Sequence, residues 1–318
     1  MSKLVILIGP PGSGKSTLAK AYEAKGFVRI SQDDQGKGHK KLFEESLSQG
    51  KDIVVDRMNF DKQQRDRYRL PALAANYHIM FYEVVVPREL CYQRCMERNN
   101  HPTINGSKAW EGAGTGSKSL ETMEFYKQKQ MEEKSKQAES ALGTYFSKYE
   151  ELHGDELNYE FVREKLNATI NKPTSIMVDL DGTLCNLNHR LHFVRGEGKK
   201  DWKSFFESMT EDSIYEDVAD ILMNEYHCGT EIVLCSGRPE DYRGHTEDWL
   251  VKHRIPYDRL VMRPVNNYKS DDITKAMLYR YEIEPRHKVK YVLDDRNQVV
   301  NKWREIGLSC FQVRPGDF

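Results

Sequence analysis

Residues 3–16 read KLVILIGPPGSGKS, an apolar run followed at once by a glycine-rich turn, a lysine and a serine. The match to GxxxxGK[ST] between a strand and a helix-like segment predicts a phosphate-binding P-loop. Glycines let backbone amides turn toward phosphate oxygens, and a helix N-terminus favours negative charge. The residues predicted to hold the nucleotide are Gly9, Gly12, Ser13, Gly14, Lys15, Ser16 and Thr17. Lys15 would reach the outer phosphates, and Ser16 would hold Mg²⁺.

A second phosphate-handling sequence lies past the middle of the chain, where residues 176–183 read IMVDLDGT. An apolar strand here delivers two carboxylates, Asp179 and Asp181, and Gly182 allows the chain to turn directly after the strand. The arrangement resembles the phosphatases and phosphotransferases of the haloacid dehalogenase superfamily. That resemblance implies that Asp179 attacks phosphorus, and that Asp181 protonates the leaving group and then activates water.

The chain is long enough for two domains, one for each phosphate motif. With 318 residues, it exceeds the size at which single cores usually divide. Apolar runs alternate with segments of helical period, the pattern of parallel sheets with crossover helices. We therefore expect an α/β protein of two doubly wound parallel-sheet domains, residues 1–168 and 169–318. The boundary falls in a segment that reads as a linker, in which Pro173 precedes a new strand.

The apolar pattern also predicts individual elements. The predicted strands are residues 3–8, 52–56, 78–86, 175–179, 231–235, 259–262 and 289–293. The predicted helices are residues 15–25, 62–75, 88–98, 218–226, 272–281 and 298–306, with a long polar helical segment over 119–152.

Composition narrows the class of protein. The chain has no apolar run long enough to span a membrane and no recognisable targeting sequence, so we expect a soluble cytoplasmic protein. Its six cysteines are scattered without a CxxC pair and are expected to be reduced. The net charge of −1 argues against a general nucleic-acid coat protein, but residues 1–130 carry an excess of six positive charges. This excess lies with the P-loop, where it could attract a polyanionic substrate, although a solvated surface of mixed sign is the alternative.

Acidic residues after the first helix separate a kinase from a nucleotide-driven motor. Asp33 and Asp34 come where the next strand should end beside the γ-phosphate, and a carboxylate there can accept the proton of an attacking hydroxyl. An ordinary helix N-cap pair is the alternative. Asp56 closes an apolar strand and could hold the acceptor or a metal-bound water. Arg94 and Arg98, four apart on one predicted helical face, could clamp the donor's phosphates, although such pairs are often only solvated.

Residues that would support the second motif occur in the order of its superfamily. Ser236 ends an apolar strand and would hold the phosphoryl oxygens, while Lys275 would neutralise the crowded carboxylates. Asp294 or Asp295 would bind Mg²⁺ together with Asp179.

Nearly end to end, the chain resembles the polynucleotide 5′-kinase/3′-phosphatases of T-even bacteriophages, most densely from Leu293 to Arg304 and at the terminal Gly316-Asp317-Phe318. The resemblance implies a kinase first and a phosphatase second, with ATP as donor, Mg²⁺ as cofactor, Asp33 as general base and the two arginines as phosphate clamps. In the phosphatase it implies catalytic or binding positions at Asp179, Asp181, Arg190, Ser236, Arg238, Asp271, Lys275, Asp294 and Asp295. The metal ligands implied are Ser16, Asp179, Asp181, Asp294 and Asp295, and the expected substrate contacts are Asp33, Asp56, Arg190, Arg238 and Asp271.

The chain departs from that family in two places. Gly36, followed by Lys37, stands where the family has an arginine for the acceptor phosphate. The segment 101–119 is rich in Gly, Ser, Asn and Thr, which fits either a lid over the active site or a surface insertion.

These observations predict a nucleic-acid end-healing enzyme. It would phosphorylate 5′-hydroxyl ends of DNA or RNA from ATP and remove 3′-phosphate and 2′,3′-cyclic phosphate, after which a ligase would act. We expect a homo-oligomer with no membrane partner. A small-metabolite kinase fused to a phosphatase, or a nucleotide-driven switch with one vestigial site, are the alternatives.

Overall fold

The computed structural model describes residues 1–98, 101, 104–106, 120–165, 171–195 and 198–316. Contacts within the chain divide it into two units, Met1–Ala168 and Thr169–Phe318. Most of the segment 101–119, for which a lid was one prediction, lies outside the described residues.

The first unit is built on a parallel five-stranded sheet in the order β2-β3-β1-β4-β5. Its strands are β1 (Lys3–Ile8), β2 (Val28–Ser31), β3 (Ile53–Asp56), β4 (His78–Val85) and β5 (Glu160–Lys165). Strand β1 is central, with Leu4 paired to Ile53 on one side and to Ile79 on the other. Helices cover both faces of a parallel sheet of this kind, so its central strand is apolar throughout and does not alternate apolar with polar residues.

Helices connect the parallel strands of this unit. They are α1 (Lys15–Glu23), α2 (Gln32–Gln35), α3 (His39–Ser48), α4 (Lys62–Ala74), α5 (Arg88–Glu97) and α6 (Leu120–Lys148). Side-chain caps fix several starts: Asp61 accepts a hydrogen bond from the amide of Gln64 at 2.7 Å and so begins α4.

The second unit contains another parallel five-stranded sheet, in the order β10-β9-β6-β11-β12. Its strands are β6 (Thr174–Val178), β9 (Glu231–Pro239), β10 (Arg259–Arg263), β11 (Lys288–Arg296) and β12 (Cys310–Gly316), and a separate ribbon pairs β7 (Cys185–Asn186) with β8 (Ser213–Ile214). The helices are α7 (Trp202–Glu207), α8 (Glu216–His227), α9 (Arg243–Lys252), α10 (Asp271–Leu278) and α11 (Asn297–Glu305).

The described residues between 185 and 214 form an insertion after β6 that we call the cap. The cap has its own small apolar core, in which Leu187, Leu191 and Val194 pack with Phe205. These four residues form a cluster distinct from the main core of the unit, in which Trp249 is fully buried and to which Cys185 belongs.

The predicted fold class is confirmed: both units are α/β with parallel sheets. The predicted ranges do not include strands β2, β5, β7, β8 and β12 or helices α2, α3, α7 and α9, and they place the end of β9 four residues early. Among the described residues, none of the helices is both long enough and apolar enough to cross a bilayer.

Candidate active sites

The P-loop follows β1 as predicted and leads into α1. Gly12 has a positive φ of 80°, and a Cβ built on it would lie 2.3 Å from the carbonyl oxygen of Cys91, so the loop can pack on α5 only with glycine here. Gly14 is also left-handed, with φ 102°, where the loop turns into the first residue of α1. The backbone of the loop therefore has a conformation in which any residue other than glycine at positions 12 and 14 would be strained.

Lys15 is buried beneath this loop. Its ammonium donates hydrogen bonds to the carbonyl oxygen of Pro10 at 2.8 Å and to the hydroxyl oxygen of Ser13 at 3.3 Å. Burial lowers the pKa of Lys15 to about 8, and the nearby carboxylate of Asp56 offsets only part of that effect. A bound polyanion would supply the negative charge that this site lacks.

Asp56 lies at the end of β3, next to the P-loop. Its Oδ1 is 3.4 Å from the hydroxyl oxygen of Ser16, and its Oδ2 accepts two hydrogen bonds from the guanidinium of Arg29. The same guanidinium binds Asp34 at 2.8 Å. Sequence reasoning did not single out Arg29, because a strand arginine gives no signal until the strands are placed side by side.

Asp33 and Asp34 occupy the first turn of α2, and the residue that caps the helix is Ser31, whose hydroxyl oxygen accepts from the amide of Asp34 at 3.4 Å. The alternative prediction that Asp33 and Asp34 form an N-cap pair is therefore wrong, because Ser31 is the N-cap of α2. While Asp34 is held by an arginine, the exposed carboxylate of Asp33 lies 4.0 Å from an imidazole nitrogen of His101. Asp33 is thus the more available of the two carboxylates.

The two predicted clamp arginines do not share a helical face. Helix α5 ends at Glu97, and Arg98 has the extended angles φ −70° and ψ 126°. Both nevertheless lie near the P-loop: Arg94 donates to the carbonyl oxygen of Gly12 at 3.4 Å, and the charge of Arg98 contributes to the lowered pKa of Lys15. The helical spacing was the wrong reason for grouping them.

At the carboxyl edge of the second sheet, β6 and β11 bring three buried carboxylates together. Asp179, Asp294 and Asp295 offer oxygen atoms that all lie within 4.8 Å of one another. Gly182 makes room for this cluster, because with φ 89° it turns away and a Cβ there would lie 2.3 Å from the Asp295 carboxylate. Thr183 donates its hydroxyl to Asp295 at 3.3 Å.

Lys275 from α10 enters the same cluster. Its ammonium lies 2.8 Å from Asp179 and 3.0 Å from Asp294, which also accepts from the indole of Trp303 at 3.1 Å. Burial alone would lower the pKa of Lys275, but the two carboxylates outweigh it and raise the pKa. Lys275 is therefore fixed in its charged form.

One lysine does not neutralise three buried carboxylates. Burial raises the pKa of Asp179, and burial together with Asp294 raises that of Asp295 to about 7. Carboxylate oxygens are the ligands that Mg²⁺ prefers, so the residues present fit a hard divalent cation. The Asp181 carboxylate is not in this group but lies within 4.8 Å of possible ligand atoms of Cys185 and Asp212, and its role as a metal ligand stays a prediction.

Asp181 instead contacts two buried arginines. Arg190, from the cap, donates to Asp181 at 2.5 Å, and Arg238, from β9, donates at 2.6 Å. Burial would raise the pKa of Asp181, but the two guanidinium groups outweigh it and hold the pKa well below its usual range. Asp181 is therefore ionised in the free protein.

Asp212 is a buried member of this network that sequence reasoning missed. It accepts from Arg190 at 2.7 and 2.6 Å, from Arg238 at 3.2 Å, and lies 2.8 Å from the imidazole nitrogen of His189. It fixes both arginines in place. Its surroundings in the sequence are acidic and polar, so nothing there distinguishes it from its neighbours.

A cavity of about 610 Å³ is lined by Asp179, Asp181 and Asp271. Ser236 is buried in β9, and its hydroxyl oxygen accepts from the amide of Arg238 at 3.2 Å. Asp271, which also lines the cavity, binds Arg263 at 2.8 Å. The structure thus gathers the predicted phosphatase residues at one edge of one sheet, as expected for open α/β sheets.

Comparison with protein families supports this reading. Residues 173–318 match the family model of the polynucleotide kinase PNKP phosphatase domain, and residues 4–38 match that of an AAA domain. These domains imply nucleotide use and a divalent metal. The predicted resemblance to polynucleotide kinase/phosphatases is confirmed, and its bacteriophage type remains a prediction.

Among individual proteins, the chain is similar to a putative bifunctional polynucleotide kinase/RNA ligase of Autographa californica nuclear polyhedrosis virus, with 23% identity over 98% of this chain and 42% of the relative. It is also 38% identical to a putative bifunctional polynucleotide phosphatase/kinase of Acanthamoeba polyphaga mimivirus, over 28% of this chain and 22% of the relative. The chain spans less than half the length of these curated relatives. A solved Pnkp1/Rnl/Hen1 complex includes a chain that matches with 26% identity, a TM-score of 0.41, and coverage of 100% of this chain and 98% of its own.

Proposed function

We propose that this chain heals the ends of broken nucleic-acid strands. Its first unit would transfer the γ-phosphate of ATP to a 5′-hydroxyl, and its second unit would remove phosphate, including 2′,3′-cyclic phosphate, from a 3′ end. One observation carries the proposal: the same chain has a P-loop at residues 9–16 and a match to the PNKP phosphatase domain over residues 173–318. A ligase would consume the healed ends.

In the kinase reaction, Lys15 and the P-loop amides hold the donor's phosphates. Asp33 accepts the proton of the attacking hydroxyl, since its carboxylate is exposed while that of Asp34 is paired with Arg29. Bound Mg²⁺, held through Ser16 and Asp56, would offset charge on the transferred phosphoryl group. Gly36 stands where the family has an arginine for the acceptor phosphate, so a different cationic group would bind that phosphate.

In the phosphatase reaction, a carboxylate oxygen of Asp179 attacks phosphorus and the bond from phosphorus to the ribose oxygen breaks. The ammonium of Lys275 lies 2.8 Å from this carboxylate and opposes the effect of burial on its pKa, which favours the ionised form that attacks. Asp181 gives its proton to the departing oxygen and then takes one from the water that hydrolyses the aspartyl-phosphate. Bound Mg²⁺ at Asp179, Asp294 and Asp295 would neutralise charge on the phosphoryl group.

Asp181 can act as an acid only after a proton reaches it. In the free protein, Arg190 and Arg238 hold it ionised. A phosphate bound in the cavity would draw part of the arginines' charge away from Asp181, which raises its pKa when the substrate is in place. Phosphate binding and protonation of the acid are therefore coupled.

A substrate panel tests the proposal against the metabolite alternative. With ATP and Mg²⁺, the protein should phosphorylate a 5′-hydroxyl oligonucleotide and dephosphorylate a 3′-phosphate oligonucleotide far faster than it acts on free sugars or sugar phosphates. Turnover of the sugars alone would favour the metabolite enzyme.

The cytoplasmic location and the homo-oligomeric state remain predictions.

A further inference from the structure

We infer that three aromatic side chains of the phosphatase cavity, Trp202, Phe206 and Tyr242, form a stacking platform for the nucleobase that adjoins the 3′-phosphate. The inference rests on the proposed 3′-phosphatase function and adds how that site selects its substrate. All three side chains line the cavity that also contains Asp179 and Asp181.

The three rings form a continuous ladder. The rings of Trp202 and Phe206 are stacked with an interplanar angle of 24° and centroids 6.0 Å apart. Those of Phe206 and Tyr242 follow at 5.1 Å with an angle of 33°. Although tryptophan is usually well buried, 49% of Trp202 is exposed. A large flat surface therefore faces the open cavity, where burying it against a partner would be favourable.

The platform connects directly to the catalytic network. Trp202 packs edge-to-face on Phe205 with centroids 5.8 Å apart, and the guanidinium of Arg190 lies 4.2 Å from the centroid of Phe205. Arg190 in turn binds Asp181 at 2.5 Å. Since the base and the 3′-phosphate of one nucleotide are attached to the same ribose, a platform beside the phosphate site fits the base of the terminal nucleotide.

Charge around the platform favours the same ligand. The ammonium of Lys200 lies 5.5 Å from the ring centroid of Trp202, and Lys200, Lys203 and Arg195 all line the cavity. Aromatic faces beside cationic groups are the usual means of holding single-stranded nucleic acid, because every base has a π-face and every linkage a negative charge. Stacking of this kind accepts any base, but it gives a sugar phosphate nothing to bind.

Matched oligonucleotides test the platform. Two 3′-phosphorylated strands differ only in their last residue, which either carries its base or is abasic. We expect the wild-type protein to favour the base-bearing end by on the order of tenfold in kcat/KM. Trp202→Ala should lose that preference by slowing only the base-bearing substrate, while Trp202→Phe should keep most of it. Tyr226→Ala is the matched control, since Tyr226 is 45% exposed on α8 and does not line the cavity.

Three other outcomes would contradict either the platform or the proposed function. Equal wild-type rates on the two strands would overturn the platform and leave the 3′-phosphatase intact, and an equal loss on both strands in Trp202→Ala would reduce Trp202 to a structural role. Failure of the wild-type protein on both strands would refute the proposed function. The platform would then be judged by binding of adenosine 3′-monophosphate and ribose 3-phosphate to the Asp179→Asn protein, where equal affinities would overturn it.

Discussion

The ammonium nitrogen of Lys275 lies 2.8 Å from Oδ1 of Asp179, and both side chains are buried. Removing this cation leaves the carboxylate cluster uncompensated, so Lys275→Met should destabilise the second unit by about 3–5 kcal/mol and abolish 3′-phosphate release. Denaturant unfolding with and without Mg²⁺ measures this, and Mg²⁺ should stabilise the variant more than the wild-type protein. Lys290→Met removes a half-exposed lysine of β11 and is the control. Wild-type stability and activity in Lys275→Met would contradict the assignment.

The ion pairs of Asp181 with Arg190 and Arg238 predict a leaving-group dependence. Asp181→Asn cannot supply a proton, so release of a ribose hydroxyl should slow by about 10²- to 10⁴-fold. The p-nitrophenolate ion leaves without one, so rapid-quench experiments with p-nitrophenyl phosphate should still trap an aspartyl-phosphate that hydrolyses slowly. Equal slowing of the first step for both substrates would rule out Asp181 as the acid.

Lys15 predicts a pH dependence of nucleotide binding. Its pKa is lowered to about 8 in the free protein, and the negative charge of bound ATP should raise it. Binding should therefore take up a proton and weaken as the pH rises above 8, by at most about tenfold per pH unit. Calorimetry in buffers of different ionisation enthalpy measures the uptake. Lys15→Arg stays charged and should lose this component, and unchanged proton uptake in that variant would assign it to another group.

Stability of the first unit depends on a buried ion pair. Arg65 of α4 donates to Glu156 at 2.6 and 2.9 Å, and both side chains are fully buried. Arg65→Ala leaves an unpaired carboxylate and should cost about 3–5 kcal/mol of unfolding free energy. Arg67→Ala, at an exposed position of the same helix, should cost far less. A similar loss in both variants would show that the pair does not carry this stability.

The apolar runs and the two motifs predicted the fold class, and they predicted that the candidate site residues lie at strand ends, because each motif follows a buried strand of a parallel sheet. Strand β5 escaped prediction, since its residues Glu160–Lys165 are largely charged and lie at the sheet edge. Strand β12 is also an edge strand, and only its end residues, Cys310 and Gly316, are buried, so no buried apolar run marks it.

Side-chain pairings across the fold could not be predicted. Asp212 is one acid among several in a polar stretch, and only the folded cap brings it against Arg190 and Arg238. Arg29 likewise acquires its partner Asp56 only when β2 and β3 pair. The aromatic residues of α7 lie close together in the sequence and could have been noticed there. The sequence does not show that Trp202 and Phe206 line a cavity.

The central claim is that two independent active sites act on the two ends of one strand. The direct measurement incubates a labelled oligonucleotide carrying a 5′-hydroxyl and a 3′-phosphate with ATP and Mg²⁺ and follows both ends. We predict that Lys15→Ala loses only 5′ phosphorylation and that Asp179→Asn loses only 3′ dephosphorylation, while the wild-type protein performs both. Loss of both activities in either folded variant, or a wild-type protein that leaves both ends unchanged, would contradict it.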